Sequence, residues 1–130
     1  MHGLTCNEGG QITKIELDTN GLTGSFPPET ALLKETLITI DLYNNIVHNA
    51  DELEGTIPSE IGNLSKLASF STANCGLSGS IPSEIGSMTN MIQLWLNDNK
   101  LTGAIPSELG NSVSTKILKL HNNELVGDMP

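Results

Sequence analysis

The chain has 130 residues and a formal net charge of −9, from fifteen acidic and six basic residues. With so few cations it offers no basic patch for a phosphate backbone, which argues against DNA or RNA as a partner. No apolar run in the sequence approaches the roughly 18–20 residues of a membrane-spanning helix, so we expect no direct membrane insertion by this segment.

A pattern of apolar residues, asparagine, glycine and proline recurs along the chain at a nearly fixed period. Its clearest copy starts at Met91, and the copies that start at Leu67 and Thr115 keep the same offsets 24 residues away on either side. Two earlier copies start at Ile12 and Leu37. A period of this length predicts a solenoid, in which each copy forms one rung and buries its apolar face against its neighbours.

The starts of the copies divide the chain into an amino-terminal segment, residues 1–11, and five repeats over residues 12–130. The second and third starts are 30 residues apart, six more than the common period. We place this insertion around residues 46–52 and expect a surface loop there, because insertions in repeat proteins map to loops.

The inserted segment contains His48, Asp51 and Glu52, which could chelate a metal ion. Three mixed ligands in one loop are a weak signal, and a solvated acidic loop explains them better. We predict no metal and no other cofactor.

Each repeat combines features of a short strand and two turns. Leu94-Trp95-Leu96 shows the alternation of a strand with one buried face. The asparagine that follows can satisfy backbone groups of neighbouring loops. Ser83-Glu84-Ile85-Gly86 then predicts a short helical turn that ends at glycine. The predicted asparagine ladder, in which a buried reduced thiol replaces one carboxamide, comprises Asn20, Asn45, Cys75, Asn99 and Asn123.

These motifs resemble the plant-type leucine-rich repeat, LxxLxLxxNxLxGxIPxxLGxLxx, over residues 12–130. The resemblance implies an α/β-type solenoid: a right-handed superhelix of five repeats, with a parallel β-sheet on its concave side and short 3-10 or helical turns on its convex side. Residues 1–11 are similar to a remnant of the family's amino-terminal cap, with Met1-His2-Gly3-Leu4-Thr5-Cys6 in place of Trp-x-Gly-Val-x-Cys. Since further cap residues are absent, we expect an internal piece of a longer protein or a truncated gene model, whose uncapped ends could support oligomerisation.

Strands of such a solenoid stack roughly 4.8 Å apart, so their outward side chains form columns. The first column is Glu16, Asp41, Ser71, Trp95 and Lys119. The second is Asp18, Tyr43, Ala73, Asn97 and His121, and the third is Thr19, Asn44, Asn74, Asp98 and Asn122. The resemblance implies that this concave surface binds partners, and the residues that we expect to form the binding face are Glu16, Asp18, Asp41, Tyr43, Ser71, Trp95, Asn97, Lys119 and His121.

Trp95 is the most informative residue of this surface. An exposed tryptophan in a chain with 3% aromatic residues suits a contact anchor. It could equally lie flat against Lys119 as a cation–π pair without a role in binding.

Glu16 and Asp41 are predicted to be adjacent carboxylates, near the ~5 Å spacing of retaining glycosidases. The sequence supplies neither an enclosed pocket nor an aromatic sugar platform, so we predict no enzyme. Any kinase activity would reside in a domain absent from this chain.

The sequence also contains one candidate glycosylation site and two cysteines. Asn63-Leu64-Ser65 is an N-glycosylation sequon in a predicted turn and supports secretion slightly. Cys6 and Cys75 lie about three rungs apart, or ~14 Å, which exceeds the ~7 Å limit for a disulfide.

The resemblance implies a protein- or peptide-binding module from a receptor-like or secreted protein involved in signalling, in an extracellular or plasma-membrane ectodomain. An alternative is a soluble inhibitor of an extracellular hydrolase, similar to polygalacturonase-inhibiting proteins, because an acidic concave face suits a basic enzyme. A remote alternative is ice binding, which needs flat ranks of threonine. The relevant positions are mixed: Ser25, Thr56, Ser80 and Ala104.

Overall fold

A computed structural model describes residues 3–22, 26–45 and 55–129 of the chain. The predicted insertion around residues 46–52, with its candidate metal ligands, lies outside the described residues. Met1 and His2 of the cap-like segment and Ser25 also lie outside them.

The described part of the chain forms the predicted solenoid, with strands in two sheets. In chain order the strands are β1 (Gly3–Cys6), β2 (Ile12–Glu16), β3 (Thr39–Asp41), β4 (Ser69–Ser71), β5 (Ser78–Ser80), β6 (Gln93–Trp95), β7 (Lys100–Ala104), β8 (Ile117–Lys119) and β9 (Glu124–Val126). The concave sheet has the order β1-β2-β3-β4-β6-β8. Its last five strands are parallel and come from successive rungs.

The cap-like segment adds one antiparallel strand to the edge of the concave sheet. β1 pairs with β2, with Leu4 opposite Ile15. The tight connection depends on Asn7, whose Oδ1 accepts hydrogen bonds of 3.0 Å from the backbone N–H groups of both Gly9 and Gln11. This is the local hydrogen bonding that makes asparagine a turn residue.

A second sheet, which the sequence analysis did not predict, joins strands from the last three rungs. It has the order β5-β7-β9 and is parallel throughout. Its strands begin just before the glycine of each Gly-x-Ile-Pro-like segment, where we expected only a turn. Gly79 and Gly103 have φ angles of 74° and 77°, which a residue with a Cβ rarely adopts. These glycines therefore let the chain bend at the point where its strands pair with those of the neighbouring rungs.

Short 3-10 helices on the convex side close the rungs. They span Pro28–Leu33, Ser59–Asn63, Ser83–Ser87 and Ser107–Asn111. A proline immediately precedes the first residue of each helix, in extended conformation before the first three. The first helix has six residues and the others have five, which matches the extra residue between the first two repeat starts.

The predicted end of these turns at glycine is wrong. Each turn continues one residue beyond Gly62, Gly86 or Gly110, and the φ angles of these glycines lie outside the left-handed region. The glycine is needed for close packing instead. A Cβ on Gly62 would come within 2.5 Å of the backbone carbonyl oxygen of Glu84, and one on Gly86 would collide with that of Glu108.

The core is one continuous stack of apolar side chains between the two sheets and the 3-10 helices. Leu94, Leu96 and Leu101 of the fourth rung are fully buried, whereas Leu118 and Leu120 of the fifth are half-buried and pack against the core. The rings of Phe26 and Phe70 meet edge to face, with centroids 5.9 Å apart and an interplanar angle of 82°. That geometry is favourable for aromatic pairs.

We predict that Gly86→Ala destabilises the fold because the added methyl group collides with the Glu108 backbone of the next rung. Overpacking of this kind costs about 1–3 kcal/mol, and urea-induced unfolding measures the loss. Gly110→Ala is the matched control, since its Cβ would meet no atom of the described residues within 4 Å. Equal stabilities of the two variants would contradict the packing role of glycine.

Candidate binding face

The strand register of the concave sheet brings the first predicted column together. Cα partners run from Glu16 to Asp41, from Asp41 to Ser71, from Ser71 to Trp95 and from Trp95 to Lys119. Backbone hydrogen bonds continue the parallel pairing beyond the strands into the second and third columns. They run from Asn44 N to Ala73 O, from Asn74 N to Asn97 O and from Asp98 N to His121 O.

The expected exposure of this face is wrong for two residues. Ser71 is only 5% exposed and Asn97 only 8%. Ser71 is small and lies beside the larger Trp95 in the register, at a strand spacing of roughly 4.8 Å, so its neighbours shield it. Tyr43 is 45% exposed and His121 is also exposed, while Glu16, Asp18, Asp41, Trp95 and Lys119 are half-buried.

Trp95 makes the contact with Lys119 that the sequence analysis considered. The Lys119 Nζ lies 4.0 Å from the centroid of the indole, an interaction worth about 0.5–1 kcal/mol at exposed sites. The indole is half-buried rather than exposed. Its Nε1–H is closed off from solvent and meets no hydrogen-bond acceptor among the described residues.

A recess of about 440 Å³ opens on the concave face beside this pair. Ala73 provides space between Tyr43 and Asn97, its two neighbours in the second column. The lining residues are Tyr43, Ala73, Asn74, Trp95, Asn97, Asp98 and Lys119. The volume lies within the roughly 300–1,000 Å³ of small-ligand sites. A small residue between larger ones in a column was the available signal, and the sequence analysis did not use it.

Asp98 is held in place at one wall of the recess. Its Oδ1 accepts a hydrogen bond of 2.6 Å from Asn122 Nδ2, and its Oδ2 accepts one of 2.5 Å from Asn97 Nδ2. These two bonds stabilise the carboxylate and lower the pKa of Asp98, Asn122 contributing most and His121 adding a small effect of the same sign. The wall therefore carries a fixed negative charge at neutral pH.

The third column shares one backbone conformation that the sequence analysis missed. Its members have φ angles between 55° and 58°: Thr19, Asn44, Asn74, Asp98 and Asn122. Asparagine and aspartate are enriched several-fold in this left-handed region. Four of the five column members are of these types, so the signal was present in the sequence.

The ladder asparagines join consecutive rungs through both ends of their carboxamides. Asn99 Oδ1 accepts hydrogen bonds from the backbone N–H groups of Cys75 and Leu77, and its Nδ2 donates to the carbonyl oxygens of Thr72 and Leu96. Asn45 Oδ1 likewise accepts from Asn20 N and Leu22 N, and its Nδ2 donates to Leu17 O and Leu42 O.

The ladder continues at Asn123, whose Oδ1 accepts from Leu101 N and whose Nδ2 donates to Leu96 O and Leu120 O. At the opposite end Asn20 is exposed, and its Nδ2 donates to Asp18 O. The ladder carboxamides of the inner rungs therefore make more hydrogen bonds than that of Asn20.

Cys75 takes the ladder position of the third rung as a fully buried thiol. Its Sγ donates to the carbonyl oxygen of Leu42, 2.9 Å away. Burial raises the pKa of the thiol to about 11, and the charge of Asp41 acts in the same direction, against opposing backbone hydrogen bonds from Asn45 and Asn44. Cys75 and the exposed Cys6 are both unpaired.

Two negative findings bear on the kind of site. Within residues 3–22, 26–45 and 55–129, no group of three or more His, Cys, Asp or Glu side chains is placed to hold a metal ion. None of the helices in these ranges has the length and apolar character needed to cross a bilayer.

Comparison with known proteins identifies the repeat type. The Leucine Rich Repeat family model matches residues 90–112. The chain is 37% identical over 72 residues to Receptor-like protein kinase 7 of Arabidopsis thaliana, a match that covers 55% of the chain and 7% of the kinase.

Two solved structures extend the likeness to almost the whole chain. One is the ectodomain of the Arabidopsis thaliana membrane receptor kinase GASSHO1/SCHENGEN3 in complex with CASPARIAN STRIP INTEGRITY FACTOR 2, with a TM-score of 0.89 and 36% identity over 98% of this chain and 15% of that one. The other is the plant peptide hormone receptor RGFR1 in complex with RGF2, with a TM-score of 0.83 and 34% identity. This match covers 98% of this chain and 18% of the receptor chain.

The fold is a plant-type leucine-rich repeat solenoid. It resembles the ectodomains of plant receptor kinases, and it spans only a small part of the three proteins named above. The matched kinase shares the repeat region with this chain.

We predict that Asn99→Ala strongly destabilises this leucine-rich repeat solenoid, because it leaves the backbone groups of Cys75, Leu77 and Thr72 without their partner. Each unsatisfied buried group costs about 1–3 kcal/mol, so we expect a total loss of about 3 kcal/mol or more in urea unfolding. Asn20→Ala at the exposed ladder end is the control, expected within about 0.5 kcal/mol of the parent chain. Similar losses in both variants would refute the ladder as the source of stability.

Proposed function

We propose that the chain is a protein- or peptide-binding module that acts through its concave face. The observation that carries the proposal is the recess between Tyr43 and Trp95, where two aromatic side chains flank a floor made by Ala73. Aromatic residues at the centre of a surface are the usual anchors of an interface. Concavity gives a partner more contact area than a flat sheet would.

The comparisons support the same class of partner. The GASSHO1/SCHENGEN3 ectodomain was solved in complex with CASPARIAN STRIP INTEGRITY FACTOR 2, and the plant peptide hormone receptor RGFR1 in complex with RGF2. By this likeness we assign the chain to a receptor-like protein, in an extracellular or plasma-membrane ectodomain. In this assignment the chain contributes recognition and no catalysis.

The charges of the face favour a cationic partner. Glu16 and Asp41 are neighbours in the first column, and Asp18 follows on the same rung. The chain as a whole carries a net charge of −9. A partner with basic residues would be steered toward this surface, with a rate of association that falls as salt is added.

Panning a phage-displayed random peptide library against the chain tests this proposal. We expect the selected peptides to lose about tenfold or more in affinity, roughly 1.4 kcal/mol, when Trp95→Ala or Tyr43→Ala removes an aromatic wall of the recess. Val113→Ala is the control, because Val113 is 87% exposed and follows the last 3-10 helix, away from the recess. Peptides that bind the concave variants as tightly as the parent chain would refute the proposal.

We also propose that Asn63 carries an N-linked glycan when the chain passes through a secretory pathway. Asn63 is the exposed last residue of a 3-10 helix, and Ser65 of its sequon is exposed too. We expect a mobility shift on treatment with a glycosidase that removes N-linked glycans, after expression in secretory plant cells. Asn63→Gln and Ser65→Ala should each abolish the shift, and a shift that survives both would count against this site.

A further inference from the structure

Two residues that line the recess on the concave face, Trp95 and Asn97, each carry a buried side-chain atom that has no hydrogen-bond partner among the described residues. Asn97 Oδ1 is an acceptor and Trp95 Nε1–H is a donor. Asn97 is only 8% exposed, and its Nδ2 is committed to Asp98. Buried polar atoms in folded proteins are almost always paired, so each exception needs a reason. Of the five such side-chain atoms in the described residues, only these two belong to residues that line the recess, which points to a ligand as the missing partner.

The charges around the recess decide what kind of group fits. The Lys119 ammonium lies against the Trp95 ring, and the Asp98 carboxylate lies at the wall beside Asn97. The negative charge of Asp98 would repel a ligand carboxylate, and the positive charge of Lys119 would repel a ligand ammonium. A neutral group with one acceptor and one donor avoids both conflicts.

We propose that the recess binds a primary carboxamide, the side chain of an asparagine or glutamine in a peptide partner. The carboxamide oxygen accepts from Trp95 Nε1–H, and its NH₂ group donates to Asn97 Oδ1. This inference rests on the proposed function of the concave face and names the chemistry of the residue that enters it. Tyr43 lies two rungs from Asn97 in the same column, about 10 Å away at the strand spacing, which leaves room for one side chain of this length.

Access to the two atoms requires one movement. Both are closed off from solvent in the free chain, and Lys119 is the long, flexible side chain that lies against the indole. A change of the Lys119 rotamer gives up one cation–π contact, and two hydrogen bonds to buried atoms are gained in its place. The lysine then acts as a displaceable cover of the recess.

The experiment exploits the single tryptophan of the chain. In ¹⁵N-labelled protein the indole Nε1–H gives one NMR signal, which reports on hydrogen bonding at this atom. We would titrate the folded chain with acetyl-Gly-Gln-Gly-N-methylamide, whose blocked end is not a primary carboxamide, and with matched peptides that carry Glu, Lys or Met at the central position. These four side chains are similar in length and differ in charge and hydrogen bonding.

We expect the glutamine peptide to move the indole signal downfield, with a dissociation constant at least about fivefold lower than that of the methionine peptide. Asn97→Leu should abolish this preference because it removes the acceptor. Asn122→Gly is the control, since it removes the other amide donor to Asp98, suits the left-handed backbone at this position (φ 56°) and leaves Asn97 in place. In this control the ratio of the two dissociation constants should stay within about twofold of that of the parent chain.

Several outcomes would overturn the proposal. Tighter binding of the glutamate or the lysine peptide would show that Lys119 or Asp98 alone selects the ligand. Equal binding of the methionine peptide, or no movement of the indole signal with any peptide, would exclude a carboxamide site. Failure of the concave face as a binding surface is distinguishable, because it would appear as phage-selected peptides that are insensitive to Trp95→Ala and Tyr43→Ala.

Discussion

The rest of the structure depends on the asparagine carboxamide that joins one rung to the next. Its oxygen accepts from two backbone N–H groups of the preceding rung, and its nitrogen donates to carbonyl oxygens of both rungs, as Asn45 and Asn99 do. A turn buried beside an apolar core would otherwise leave these groups unpaired, at a cost that few contacts could offset. The ladder thus allows the chain to turn inward at the rungs that carry the asparagine, and the Cys75 thiol takes its place at the third rung.

Because the turns have a constant geometry, they also determine the arrangement of the concave face. Because each rung enters the ladder at the same point, its strand meets the next in constant register, and side chains from different repeats fall into columns. The recess beside Trp95 is a product of this alignment: Ala73 leaves space where its column neighbours Tyr43 and Asn97 have larger side chains. Repeats that are nearly identical in backbone therefore yield a surface that differs at each position.

The sequence was sufficient for features that lie within one repeat. Strand alternation and the regular spacing predicted the solenoid, and the columns followed from it. Contacts between repeats were harder to foresee. The pairing of β5, β7 and β9, the close approach that requires Gly62 and Gly86, and the burial of Ser71 and Asn97 all depend on what the adjacent rung presents. No pattern inside a single repeat contains that information, although aligning the repeats as columns shows part of it, such as the left-handed third column.

The two sheets, one on each side of the core, also restrict how the gene can change length. A whole rung of 24 residues can be gained or lost with every column still in phase, whereas one residue added inside a strand would turn its inward side chains outward. Both departures from the period fall outside the strands of the described chain. One lengthens the 3-10 helix Pro28–Leu33 to six residues, and the other separates Asn45 from Gly55. Duplication and deletion of whole repeats are thus the changes that this architecture tolerates, and smaller insertions survive only in its loops and convex turns.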